Sequence, residues 1–181
     1  MKRISLSVWV IALSAVFFAC NQAPKETEEV FVPEQTIENL KAAITGESNA
    51  SAKYAIYAKE AEAAGMLNIA KIFAAASEAE MIHVNNHYAV LKALGVEDFE
   101  PVIDEHIADK DMAKNLEAAI AGETYEFTEM YPVFIEIANA EEVANAVKSF
   151  DHAMKAEKRH AEHYQTVLDL FKAENNDKML Y

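Results

Sequence analysis

Two short patterns in this chain, Glu80-x-x-His83 and Glu157-x-x-His160, set a carboxylate and an imidazole three residues apart. On a helix such neighbours share one face, so each pair can present both side chains to a common point. Two further glutamates, Glu47 and Glu123, each close an Ile-x-Gly-Glu segment, Ile44 to Glu47 and Ile120 to Glu123. Imidazole and carboxylate suit first-row transition metals. A carboxylate can also bridge two hard cations and offset their mutual repulsion. Several acids brought into an apolar interior without such cations would be very costly to ionise together.

The patterns belong to an internal repeat. Asn39 to Glu47 recurs as Asn115 to Glu123, an offset of 76; Phe73, Glu80 and His83 recur as Phe150, Glu157 and His160, an offset of 77. Glu47 lies 18 residues before Gly65 and Glu80 lies 15 after it; Glu123 lies 17 before Ala140 and Glu157 lies 17 after it. In antiparallel hairpins these heights agree to within about 5 Å at 1.5 Å per residue. All four glutamates can therefore meet at one level. One Glu from each of two helices, plus a Glu-x-x-His from each of the other two, is the donor set of a di-iron or di-manganese carboxylate centre. Glu126, three residues after Glu123, reaches the same face and is a seventh candidate. Gly46 and Gly122 precede the two glutamates inside helices, where glycine costs about 1 kcal/mol against alanine. Their expected use is close helix approach beside the site.

The elements that must carry these residues are four long helices. The first starts with Thr36 as its cap and ends at Gly65; the second runs from about Leu67 to Leu94 and stops at Gly95. Gly95 to Lys110, with Pro101, reads as a connection. The third helix runs from about Asp111 to Asn139, with Pro132 expected to kink it or end it early, and the fourth from about Glu141 to Ala173. The fold class is all-α: a four-helix bundle of two antiparallel hairpins over residues 36–175, with a tail at 176–181. His87, four after His83, and His163, three after His160, could each orient a ligand from behind, but read first as partly exposed helix positions. Neither His106 nor His152 is given a role.

Composition narrows the rest. Sixteen basic against 30 acidic residues, a net charge of −14, argue against nucleic acid or anionic lipid as a binding surface, but not against metal cations. The single cysteine excludes a disulfide framework and a four-cysteine metal centre. Lys2 and Arg3 followed by the apolar run Ile4 to Ala19 read as a secretory signal peptide, residues 1–19. Phe17-Phe18-Ala19-Cys20 resembles a bacterial lipoprotein lipobox, with Cys20 as the lipid attachment residue. Residues 20–35 then form a flexible tether, and the expected location is extracytoplasmic, membrane-anchored by lipid only.

The sequence resembles the rubrerythrin family, within the ferritin-like superfamily, over about Thr36 to Phe171. The specific pieces are Ala121-Gly122-Glu123-Thr124-Tyr125-Glu126, Glu129-Met130-Tyr131-Pro132 and both Glu-x-x-His motifs. The resemblance implies that the two hairpins are joined by a long crossover. It implies two iron ions per site, with manganese as the other metal open to such ligands. Glu80 and Glu157 would bridge, Glu47 would bind one ion, and Glu123 with His160 the other. At the first ion Glu126 and His83 would exchange, Glu126 on the oxidised form and His83 on the reduced. Tyr54 and Tyr131 match tyrosines that line such sites. The implied activity is reduction of hydrogen peroxide to water by a homodimer. A ferroxidase or iron-handling role, or non-enzymatic iron binding by a lipoprotein, are the rival readings. Typical members carry a rubredoxin domain; here the only cysteine is Cys20, so the electron donor is expected to be a separate molecule.

Overall fold

The computed structural model describes residues 31–179, and side chains of residues 31–174. The segment read as a signal peptide, Cys20, and most of the stretch read as a tether lie outside the described residues. The described residues form five α-helices: α1 (Glu34–Ala63), α2 (Leu67–Ala93), α3 (Met112–Tyr125), α4 (Tyr131–Ala140) and α5 (Ala144–Met179). A single π-helical turn, Glu126–Met130, joins α3 to α4, so together they form the third rod of the bundle. The described residues contain no strand, and no helix among them is long and apolar enough to cross a membrane.

Local chemistry sets the ends of the rods. Gly65 (φ 76°) and Gly95 (φ 88°) take the left-handed conformation that closes α1 and α2. The N–H of the following residue reaches back in each case, Met66 to the Ala61 carbonyl at 2.8 Å and Val96 to that of Leu91 at 3.2 Å. The turn between α4 and α5 is built the same way, with Val143 N–H on the Ala138 carbonyl at 2.8 Å, but Glu142 occupies the left-handed position at φ 59°. The start of α1 departs from expectation. Thr36 lies inside the helix and does not cap it. Glu141, from the turn of the other hairpin, accepts from the N–H groups of Gln35 (3.2 Å) and Thr36 (2.7 Å). A carboxylate facing free N–H groups at a helix N-terminus is favourable on both hydrogen-bonding and dipole grounds.

Residues 95–111 run the length of the bundle beside α1. Near the end of α2 the Tyr88 hydroxyl donates to the Phe99 carbonyl at 2.9 Å. Halfway along, Asn49 donates to the Val102 carbonyl (2.9 Å) and accepts from the Asp104 N–H (2.8 Å). At the far end Lys110 Nζ lies 2.8 Å from Glu60. The connection thus delivers α3 beside the end of α1, with Asp111 capping it through the Ala113 N–H at 3.1 Å. Hairpin α1–α2 and hairpin α3/α4–α5 are therefore joined by a long crossover.

The interior has three layers. One apolar cluster gathers Leu40, Ile44, Val84, Leu91, Tyr131 and Phe150; the other gathers Tyr54, Phe73, Met112, Leu116, Tyr164 and Leu168. Along α1, α2 and α5 the charged candidates fall between these two sets: Glu47 between Ile44 and Tyr54, Glu80 between Phe73 and Val84, Glu157 between Phe150 and Tyr164. Burial of the flanking side chains, about 1.5–3 kcal/mol each, holds a polar middle layer that could not stabilise itself.

Pro132 sits in the first turn of α4, just after the π-helical turn. It neither ends the rod nor is absorbed by a plain α-helix. The Tyr131 N–H donates to the Glu126 carbonyl, five residues back. A proline ring clashes with the carbonyl four residues earlier and offers no N–H, and a widened turn relieves both problems.

Candidate metal centre

Glu47, Glu80 and Glu157 are fully buried and Glu123 is 1 % exposed. They and the two imidazoles form two overlapping groups. Glu47, Glu80, His83 and Glu157 offer ligand atoms within 4.8 Å of one another, and so do Glu80, Glu123, Glu157 and His160. Glu80 and Glu157 belong to both. Each divides its oxygens between the two ends. Glu157 Oε1 is 2.7 Å from His83 Nδ1, while its Oε2 is 2.7 Å from His160 Nδ1. Glu80 Oε2 is 3.2 Å from His83 Nδ1, and its Oε1 is 3.4 Å from His160 Nδ1. That is the disposition of two bridging carboxylates. Glu47 Oε1 lies 3.8 Å from His83 Nδ1 at one end, and Glu123 Oε2 lies 3.9 Å from His160 Nδ1 at the other.

The residues fit a pair of metal ions. Glu47 Oε2, both oxygens of Glu80 and Glu157, Glu123 Oε2 and the Nδ1 atoms of His83 and His160 are buried, and none makes a hydrogen bond of good geometry. The short imidazole–carboxylate approaches bring these atoms together on two common points, as the ligands of one ion are brought together. Buried polar atoms are almost always satisfied, so a concentration of eight such atoms in one layer needs cations.

Electrostatics of the layer without metal follow from the same crowding. Burial, then the charges of Glu126, Glu157 and Glu80, pushes Glu47 well above the usual carboxylate range. Burial and the charges of Glu80 and Glu157 push Glu123 up to about 10. Burial alone would depress the imidazoles, but the Glu157 and Glu80 carboxylates outweigh it and raise His83 to about 9 and His160 to about 11.

Each terminal glutamate is held by a tyrosine from the opposite hairpin. Tyr54 on α1 donates to Glu123 Oε1 at 2.5 Å, and Tyr131 on α4 donates to Glu47 Oε1. In both cases Oε1 is engaged and Oε2 is left free. Spacing along α1 places Tyr54 on the face of Glu47; the structure pairs it instead with the glutamate across the bundle.

Glu126 lies in neither group; His83 occupies the first. It is half-buried at the start of the π-helical turn. Burial, then the charges of Glu157 and Glu80, pushes it up to about 8. The repeat explains how Glu126 comes to be there. Glu47 and Glu123 differ by 76, whereas Tyr54 and Tyr131 differ by 77. The second repeat has one additional residue between its glutamate and its tyrosine, and the π-helical turn at Glu126–Met130 takes up that residue. At the earlier offset Glu126 corresponds to Ala50, so only one half of the centre has a seventh carboxylate.

Gly46 and Gly122 do not serve close approach. A Cβ on Gly46 would meet nothing within 4 Å, and one on Gly122 would meet only the flexible Lys53 Nζ at 3.5 Å. His163 is exposed, as expected. His87 is not: it is fully buried, with Nε2 3.1 Å from the Tyr131 hydroxyl and Nδ1 2.8 Å from Ser149 Oγ. The sequence signal that could have found it is its place on α2 one turn beyond His83, on the inward face.

A bundle whose four rods each bring a glutamate to a shared two-ion donor set defines a ferritin-like carboxylate protein. The chain belongs to the rubrerythrin family, whose model matches residues 38–168. Rubrerythrin-2 of Clostridium acetobutylicum is 38 % identical over 142 residues, covering 78 % of this chain and 76 % of the relative. Nigerythrin of Nitratidesulfovibrio vulgaris is 40 % identical over 147 residues, covering 79 % and 70 %. The fully reduced, all-ferrous structure of nigerythrin superposes with a TM-score of 0.71 at 34 % identity, over 92 % of this chain and 82 % of that one. The bacterioferritin of Desulfovibrio desulfuricans shares the fold alone, with a TM-score of 0.73 at 18 % identity over 78 % of this chain and 82 % of that one.

Proposed function

We propose that this protein is a di-iron peroxidase that reduces hydrogen peroxide to water. The observation that carries the reading is the division of the Glu80 and Glu157 oxygens between the two imidazole ends, with a half-buried seventh carboxylate, Glu126, beside them. The all-ferrous nigerythrin structure supports iron as the metal. A bound ferrous pair would supply the two electrons that cleavage of one O–O bond consumes, together with Lewis acidity toward the oxygens.

The chain's own residues do the rest. Glu80 and Glu157 would hold both ions, Glu47 and His83 would complete one end, and Glu123 and His160 the other. Tyr131 and Tyr54 keep Glu47 and Glu123 oriented through Oε1. Glu126, held protonated at neutral pH by burial and neighbouring charge, supplies an acid at the rim of the layer. It is also the one further carboxylate available to the end that His83 would complete. The two apolar clusters exclude bulk water from both sides. The reaction takes up two protons and two electrons per peroxide and yields two waters. An electron donor, taken here to be a separate protein or small molecule, returns the electrons. We place the protein outside the cytoplasm, anchored through lipid on Cys20, and working as a homodimer.

The test is anaerobic. The protein is loaded with two ferrous ions per chain and mixed with peroxide or oxygen, and the absorbance of the oxidised pair is followed. Fast oxidation by peroxide and slow oxidation by oxygen is the expected result. Faster reaction with oxygen would replace this reading with iron oxidation, and binding without turnover would leave an iron-binding protein.

A further inference from the structure

Behind the two terminal glutamates the internal repeat is broken. At the Glu47 end, Tyr131 gives its only hydroxyl proton to Glu47, so its oxygen must accept from His87 Nε2, 3.1 Å away. His87 is fully buried, and burial, then the charge of His83, holds its pKa down to about 3, so the ring is neutral and carries one proton. With that proton on Nε2, Nδ1 is a bare acceptor, and Ser149 Oγ, 2.8 Å away, must donate to it. Every bond in the series Ser149, His87, Tyr131, Glu47 therefore points the same way.

The offset of 77 gives the counterpart at the other end: Tyr131 corresponds to Tyr54, His87 to Tyr164 and Ser149 to Ile72. Tyr54 donates to Glu123. Behind it, the buried Tyr164 hydroxyl has no partner among the described residues, and Ile72 has nothing to donate. The Tyr54 ring is steadied there by packing, with the Tyr164 ring centroid at 5.5 Å.

We propose that His87 and Ser149 are positioning residues for one end of the metal centre: they lock the Tyr131 hydroxyl onto Glu47 Oε1, so that Glu47 meets its ion through Oε2 alone, while the Glu123 end has no such lock. The lock sits at the end that His83 completes, where the charge of Glu126 acts on Glu47 more than that of any other carboxylate. The inference rests on the two-ion reading of the site.

The test uses the whole protein, anaerobically, titrated with Co²⁺ as a spectroscopic probe of each site. The wild type should bind two ions. His87→Leu should weaken one site by about 10- to 100-fold, the range for removal of a group that orients a ligand, and leave the other unchanged. His87→Gln should restore binding to within about threefold, because its amide can donate to Tyr131 and accept from Ser149. Tyr164→Phe, the same position in the repeat, should bind as the wild type does. Ser149→Ala, a smaller change suited to the case where His87→Leu does not fold, should weaken the same single site by about three- to tenfold. Unchanged binding by His87→Leu or Ser149→Ala, failure of His87→Gln to rescue, or an equal loss in Tyr164→Phe would overturn the proposal. A wild type that binds no pair of ions would remove the two-ion reading and this inference together.

Discussion

Loading the site with metal should expel about four protons at pH 7, and the number can be worked from the buried layer. Without metal, Glu123 (about 10) holds a proton, His83 (about 9) and His160 (about 11) are imidazolium ions, and burial with the neighbouring carboxylate charges pushes Glu47 toward its neutral form. The two imidazolium charges face the Glu80 and Glu157 carboxylates, so the layer is neutral. With two divalent ions, four carboxylates and two neutral imidazoles balance four positive charges, and the layer is neutral again. The difference between the two states is four protons. The sign follows from the raised pKa values. Each of these groups must lose a proton to bind metal, so affinity rises with pH and keeps rising until about pH 9, where His83 is the first of the groups with a stated value to stop contributing. Each proton is worth about 1.4 kcal/mol per pH unit, so the overall constant for the pair should change by about 5 kcal/mol, or about 10⁴-fold, per unit near pH 7. Calorimetric titration with Co²⁺ between pH 6.5 and 8, in buffers of contrasting ionisation enthalpy, counts the protons directly. Release of fewer than about two, or an affinity indifferent to pH, would refute the charge balance argued here.

Glu126→Ala should leave two-ion binding intact and slow peroxide-driven oxidation by about 100-fold, since an acid beside the reacting oxygens is lost; stopped-flow absorbance checks it, and wild-type rates would count against the assignment. Glu80→Ala should abolish binding of both ions, because its oxygens serve both ends, whereas Glu47→Ala should cost only one; anaerobic titration separates the two outcomes. Glu142→Gly should stabilise the fold by about 1 kcal/mol, since a non-glycine residue now holds φ 59° in the turn between α4 and α5, and the shift in the urea midpoint reads it.

Much of the centre was legible because helix geometry turns spacing into height. The distances of Glu47 and Glu80 from Gly65, and of Glu123 and Glu157 from Ala140, were enough to bring four carboxylates to one level. What spacing could not give was anything decided across the bundle. Thr36 looked like a cap because it stands before a helical pattern, but the groups that satisfy the start of α1 belong to Glu141, 105 residues from Thr36. Tyr54 follows Glu47 by two turns and yet serves Glu123. His87 reads first as a partly exposed helix histidine, since nothing local shows that Ser149 and Tyr131 stand on either side of its ring. Pro132 signalled an irregularity correctly, but whether a kink, a stop or a widened turn follows depends on the neighbouring rods.

The division of the bridging oxygens has a consequence for how such a molecule could come about. Hairpin α1–α2 alone carries one terminal glutamate and one Glu-x-x-His, half of the six-residue donor set. Two identical copies of it, facing each other across a two-fold axis, would complete a symmetric dimetal centre with no residue left over. Fusion of the two copies into one chain frees each to change alone. The single added residue in the π-helical turn, Glu126 in the place of Ala50, and His87 in the place of Tyr164 are three such changes, and all of them fall around the Glu47 and His83 end. A pair of equivalent ions is suited to being held; a pair whose ends differ is suited to being worked, one ion at a time.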